Sequence, residues 1–144
     1  GRCEIHEETL RDGSSDTARY LAAGAVRALW MRIEGDSPGL AESHLMPVLR
    51  SSRFAIVESN RLVRWIRPDL AILVLRFDAV EFKESARFFL EHADAVVAVS
   101  PDGLEPPWPE VSRVISGIPL FVTRDPRILP EGLADFAARR IPAE

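Results

Sequence analysis

The run Leu70-Ala71-Ile72-Leu73-Val74-Leu75 limits the fold most, because an unbroken apolar, β-rich stretch without polar alternation needs cover on both faces. It predicts a buried strand over residues 70–77, the centre of a parallel sheet. Further apolar stretches predict strands over 26–33, 53–58, 95–100 and 118–123. Between them, helical spacing and start signals predict helices over 17–23, 38–49, 61–66, 83–92, 110–115 and 130–140. The opening stretch 3–12, rich in Glu4, Glu7 and Glu8, suits an exposed or edge strand. Strand and helix alternate, and no linker or repeat divides the chain. The expectation is therefore one α/β domain over 1–144: three layers, a mainly parallel sheet, and helices on both faces.

Local punctuation supports these boundaries. Ser15 or Asp16 can cap the first helix, and Gly24 can stop it. Ser37 followed by Pro38 starts the second, which Pro47 kinks or ends. Pro68 closes the short helix after Arg61, since the residue before a proline is pushed out of the helical region. Phe82, Ala86, Phe89 and Leu90 form a stripe that reads as core. Trp108, among Pro106, Pro107 and Pro109, lids either the core or a ligand; the core is favoured because most buried aromatics are structural.

Composition excludes several classes. A net charge of −4, with arginines scattered along the whole chain, offers no basic stripe for nucleic acid. Cys3 has no partner for an internal disulfide, which fits a reducing cytoplasm, and no Cys/His spacing resembles a zinc site. No apolar run approaches the roughly twenty residues that cross a bilayer, so a membrane is not an expected partner. No Gly-x-Ser-x-Gly elbow, Gly-x-Gly-x-x-Gly fingerprint or Gly-x-x-x-x-Gly-Lys-[Ser/Thr] loop occurs in these residues.

The strongest candidate site is Phe54-Ala55-Ile56-Val57-Glu58-Ser59-Asn60, where an apolar run ends in a carboxylate, a hydroxyl and an amide. In open parallel sheets ligands bind outside the carboxyl ends of the strands, where these groups would stand. A Glu there can hold magnesium or accept a proton. The competing reading makes Glu58 the start of a loop and Ser59 or Asn60 a helix cap. Glu7, Glu8, Asp12 and Asp16 read first as a solvated face, and become site candidates only by converging on Glu58.

Two segments carry a resemblance. Asp16-Thr17-Ala18-Arg19-Tyr20-Leu21-Ala22-Ala23-Gly24-Ala25 resembles a segment of the P-loop proteins related to molybdopterin-guanine dinucleotide biosynthesis protein B, and the stretch ending at Glu58 is similar to that family's second signature. The resemblance covers about the first half of the chain. It implies a P-loop nucleoside-triphosphatase fold binding GTP or ATP with magnesium, and an accessory or adaptor role in molybdenum-cofactor-type biosynthesis. It places Glu58 as the catalytic and metal-binding acid and Asp16 as a second metal ligand. Asp16, Thr17, Arg19, Ser59 and Asn60 would be the nucleotide-binding residues. The expected partners are a nucleotide, a protein of cofactor assembly and a second copy of the chain. Ser59-Asn60 stands where the family has Gly, and the family's first strand, phosphate loop and helix would precede Gly1. With that loop the chain is a magnesium-dependent nucleoside triphosphatase; without turnover it is a degenerate α/β interaction domain.

Overall fold

The computed structural model describes residues 1–35, 37–103 and 105–141. Where the sequence reads as one domain, the internal contacts gather into two compact units, Gly1–Val57 and Glu58–Glu144.

In the first unit, β1 (Cys3–Glu7) and β2 (Leu29–Ile33) form an antiparallel pair in which Ile5 faces Met31 and His6 faces Trp30. The stretch 26–33, expected in the parallel sheet, thus pairs antiparallel with the chain's opening strand. The alternation is weak but real: Cys3, Ile5, Met31 and Ile33 share one face, and Glu4, His6, Trp30 and Arg32 the other. Between the strands, α1 (Asp16–Ala22) is capped by Ser15, whose side chain accepts the Ala18 N–H at 3.1 Å. It ends where Gly24 takes a positive φ of 109°, a conformation glycine reaches without strain. α2 (Pro38–Arg50) begins on its proline and runs past Pro47, which sits in the last turn.

Residues 53–58 form no strand. They bend at 53 and 54 and carry no regular structure, with Phe54, Ile56 and Val57 63%, 82% and 45% exposed. Neither sheet includes them, and an apolar stretch without an edge to pair with leaves its backbone and side chains in water.

The second unit holds a parallel sheet of β3 (Ile72–Arg76), β4 (Ala95–Val99) and β5 (Leu120–Thr123), in that spatial order. The most apolar run is therefore an edge strand, and β4, buried at every position, is the centre. Register puts Leu73, Leu75, Val96 and Ala98 on one face, where they pack with Ala86 and Leu90 of α3 (Glu84–Leu90) and Val111 and Ile115 of α4 (Pro109–Ile115). Phe82 and Trp108, with rings 5.1 Å apart, pack against this cluster, so Trp108 lids the core. Phe121 shares the opposite face with Val97 and meets Phe136 of α5 (Leu133–Arg140) at 5.4 Å. Helices thus cover both faces of this sheet, as expected. The helix expected over 61–66 shrinks to a single 3-10 turn, Leu62–Arg64. Among the described residues no helix is long and apolar enough to cross a membrane.

Candidate functional site

Asp16, Thr17 and Arg19 lie together on the first turn of α1, where the sequence made them neighbours. Asp16 forms an ion pair with Arg19 across one helical step. Thr17 donates its hydroxyl to Glu8 Oε2 at 3.1 Å, and Ser15 donates to the same oxygen at 2.9 Å. Glu8 Oε1 accepts the backbone N–H groups of Thr9 and Leu10, each at 3.0 Å. These donors hold the Glu8 carboxyl below its usual range, first through the Leu10 N–H and then through the Ser15 and Thr17 hydroxyls.

The reading of Glu8 as a solvated acid missed this convergence. A signal was present: an acid at the end of an edge strand, followed within a short loop by Ser15-x-Thr17 at a helix start. The loop also runs close to the helix. A Cβ on Gly13 would stand 3.0 Å from that of Ala18, and Arg11 donates to the Leu21 carbonyl at 2.6 Å.

Glu58, Ser59 and Asn60 open the second unit on exposed backbone rather than at a strand's end. Ser59 Oγ accepts the N–H groups of Arg61 and Leu62, both at 3.2 Å, a local turn that leads into the 3-10 turn, whose N-cap position is Arg61. Glu58 and Asn60 are exposed.

The carboxyl ends of β3, β4 and β5 carry groups that sequence reading did not single out. Asp78 follows β3 and takes both Arg76 Nε at 3.0 Å and a terminal guanidinium nitrogen at 2.7 Å. Asp125 follows β5 and is gripped the same way by Arg127. Each guanidinium holds its carboxyl below the usual range. Thr123 Oγ accepts the Asp125 N–H at 3.3 Å and donates to the Asp125 carbonyl at 2.9 Å, which fixes the turn. The signal for these groups is positional: each follows an apolar run directly.

A cavity of about 780 Å³ lies at the other end of the sheet, lined by Arg67, Asp69, His92, Asp94 and Arg140 with Ala71. There Asp94 Oδ2 accepts the Ala71 N–H at 2.8 Å, while the Ala71 carbonyl accepts the Asp94 N–H at 2.8 Å. This lacing joins the amino ends of β3 and β4. Its liners carry Arg67 and Arg140 against Asp69, Glu91 and Asp94, so it presents no field of one sign.

Among the described residues no group of three or more His, Cys, Asp or Glu side chains comes together to hold a metal ion. Magnesium does not need one: it is commonly held by one or two carboxylates, with water and substrate phosphates completing the sphere. Glu58 stands exposed. Asp16 serves as such a carboxylate only by giving up Arg19. Comparison with protein-family models, curated proteins and solved structures gives no match.

Proposed function

We propose that the chain is a nucleotide-binding α/β protein of the P-loop kind, taking GTP or ATP with magnesium and acting as an accessory or adaptor factor in molybdenum-cofactor-type biosynthesis. The observation that carries this reading is the order of the parallel sheet. In doubly wound sheets the ligand crevice lies at the carboxyl ends where strand order reverses. In β3-β4-β5 the order does not reverse, so this reading needs a further strand beyond β3, which would set the switch point beside Arg76 and Asp78. Val74, 60% exposed on that edge strand, is the apolar surface a further strand and helix would cover.

In this reading Glu58 supplies one carboxylate to a phosphate-bound magnesium or orients the attacking water. Asn60 donates to ligand oxygens, and Ser59 shapes the turn that presents both. Within the first unit, Thr17 and Arg19 are candidates for a phosphate contact of their own, Arg19 by exchanging Asp16 for a phosphate oxygen. Titration calorimetry of the full-length protein with magnesium-GTP and magnesium-ATP should give saturable heat with one of them. Absence of heat with both overturns the reading. Glu58→Gln should weaken magnesium-dependent binding or turnover while stability stays within about 1 kcal/mol, as for a change outside the packed core.

The exposed apolar side chains favour a second reading, an interaction domain without turnover. Phe54, Ile56, Val74 and Val80 all stand in water, and exposed apolar groups at an open strand edge invite pairing with another chain. A second copy is the simplest such partner. Sedimentation equilibrium showing a dimer, together with no nucleotide heat, would select this reading.

A further inference from the structure

The cavity of about 780 Å³ at the amino end of the parallel sheet is lined by charged groups that neither reading uses. Its volume falls in the range in which proteins hold small ligands. Elsewhere in the second unit Arg76, Arg87 and Arg127 each close on a carboxylate at 2.7–3.0 Å. The cavity differs. Among the described residues, the side chains of its liners Arg67, Asp69 and Glu91 have no hydrogen-bond or ion-pair partner. Arg140 Nη1 stops 3.7 Å from Asp94 Oδ1, beyond hydrogen-bond reach, so that pair stays open as well.

Several of these groups are held in place by contacts of their own. The Ala71 N–H fixes Asp94 Oδ2 at 2.8 Å and leaves Oδ1 as the free acceptor. The Arg140 guanidinium lies over the Phe136 ring, 5.1 Å from its centre. His92 stacks on Phe88 with ring centres 4.6 Å apart, and its Nδ1 donates to the Phe88 carbonyl at 2.9 Å. A carbonyl only accepts, so Nδ1 carries the proton, and in the neutral ring Nε2 is left as an acceptor. Groups ordered before a ligand arrives spare it the cost of ordering them.

The lining thus sets two guanidiniums as donors against three carboxylates and a ring nitrogen as acceptors. A ligand with anionic groups alone would meet Asp69, Glu91 and Asp94, and a polyamine would meet Arg67 and Arg140. Like charges brought together cost affinity in either case. We propose that the cavity binds a small dipolar ligand with a free ammonium and a free carboxylate, as amino acids and short peptides have. The carboxylate goes to Arg67 and Arg140, and the ammonium to Asp69 and Glu91. Val63, Pro68 and Ala93 add a small apolar wall that suits an aliphatic side chain. The cavity lies at the end of the sheet opposite Asp78 and Asp125, so this binding and the nucleotide reading stand or fall separately.

The test is amide NMR on the full chain, titrated with alanine and with alanylalanine, each free, N-acetylated and C-amidated. Ionic strength is kept low and constant, because Arg67, Asp69 and Glu91 are exposed and salt screens them. The expected result is saturable shifts at Ala71, His92 and Asp94 with at least one free form. Each capped form of that ligand should bind at least about tenfold more weakly, equivalent to about 1.4 kcal/mol. Alanine binding as tightly as the dipeptide assigns the cavity to a single amino acid, and weaker binding assigns it to a peptide. Arg67→Gln should narrow the gap between the free and amidated ligand, and Asp69→Asn the gap between the free and acetylated one. No saturation with either free form overturns the proposal. So does equal binding of the capped forms, or gaps that persist unchanged in both variants. The β4 amide shifts report whether each variant is folded; should either unfold, the capped ligands on the parent protein decide the matter alone.

Discussion

The two units reach order by different means. In Glu58–Glu144 the work is apolar: a central strand buried along its whole length, with Leu73, Leu75, Leu90, Val111 and Ile115 around it. In Gly1–Val57 the residues buried to the same degree are Ala18, Leu21, Ala28 and Ala41, three of them alanines. That unit leans instead on directed polar contacts: Glu8 with its four donors, Glu7 with Arg27, and Arg11 with the Leu21 carbonyl. Apolar burial is non-directional and sums with area, whereas a carboxylate hub acts through geometry and charge state. The second unit should therefore respond to changes of volume, and the first to changes of proton or hydroxyl.

Volume gives the largest effect. Leu73, 3% exposed, packs under α3 and α4, so Leu73→Ala should cost about 2–5 kcal/mol, the range for large-to-small core changes. Urea denaturation followed by Trp65 and Trp108 fluorescence measures it. A loss below a third of that range would mean the apolar cluster does not carry this unit, and the contrast between the two would collapse.

Next in size is the cap of α1. Ser15→Ala removes both the Ala18 N–H acceptor and one Glu8 donor, and cap losses cost about 0.5–2 kcal/mol. Faster amide exchange at Ala18 and Arg19, with the β4 amides unchanged, is the expected pattern. Unchanged exchange in α1 would show that the hub, not the cap, sets the helix start.

Much of this architecture was legible in the sequence, for local reasons. Ser15, Gly24 and Pro38 act within one helical turn, so the starts and stops they signal fall within a residue or two of where they were read. Strand order was not legible. Leu70-Ala71-Ile72-Leu73-Val74-Leu75 is more apolar than Ala95-Val96-Val97-Ala98-Val99, yet the latter is central. Composition says that a strand can be buried; only pairing says which one is. The same gap explains residues 53–58, a strand by composition that has no edge in either sheet. At the site, proximity in sequence placed Asp16, Thr17 and Arg19 together, and the Ser59 hydroxyl went to the N–H groups just after it. Glu8 escaped because Ser15 and Thr17 reach it only once the loop turns back, whereas Asp125's partners Thr123 and Arg127 stand two residues away.

A change of proton sharpens the contrast further. Glu8's carboxyl is held below its ordinary value of 4.5 by its donors, so its contribution to stability is fully present above that value. It is lost as the pH falls through the lower, folded-state value, because protonation leaves fewer acceptor sites for the four donors. Amide signals of Thr9, Leu10 and Thr17 should therefore move together in a single titration below pH 4.5. Separate midpoints for these three residues would show that they do not share one carboxylate.

The smallest expected effect tests the edge of the second unit. Val74 follows Leu73 directly but points to the other face, where it is 60% exposed. Val74→Ala removes little buried area, and what remains is the preference of strands for β-branched residues, within about 1 kcal/mol. The pair Leu73→Ala and Val74→Ala thus reads the two faces of one strand by the same measurement. A Val74 loss that matches Leu73's would mean that this face is covered in solution, by another strand, a helix or a second copy. Repeating the measurement across a range of protein concentrations separates these cases. Cover by a second copy makes the Val74 penalty grow with concentration, because dissociation then contributes to unfolding. Cover by the protein's own chain leaves it constant.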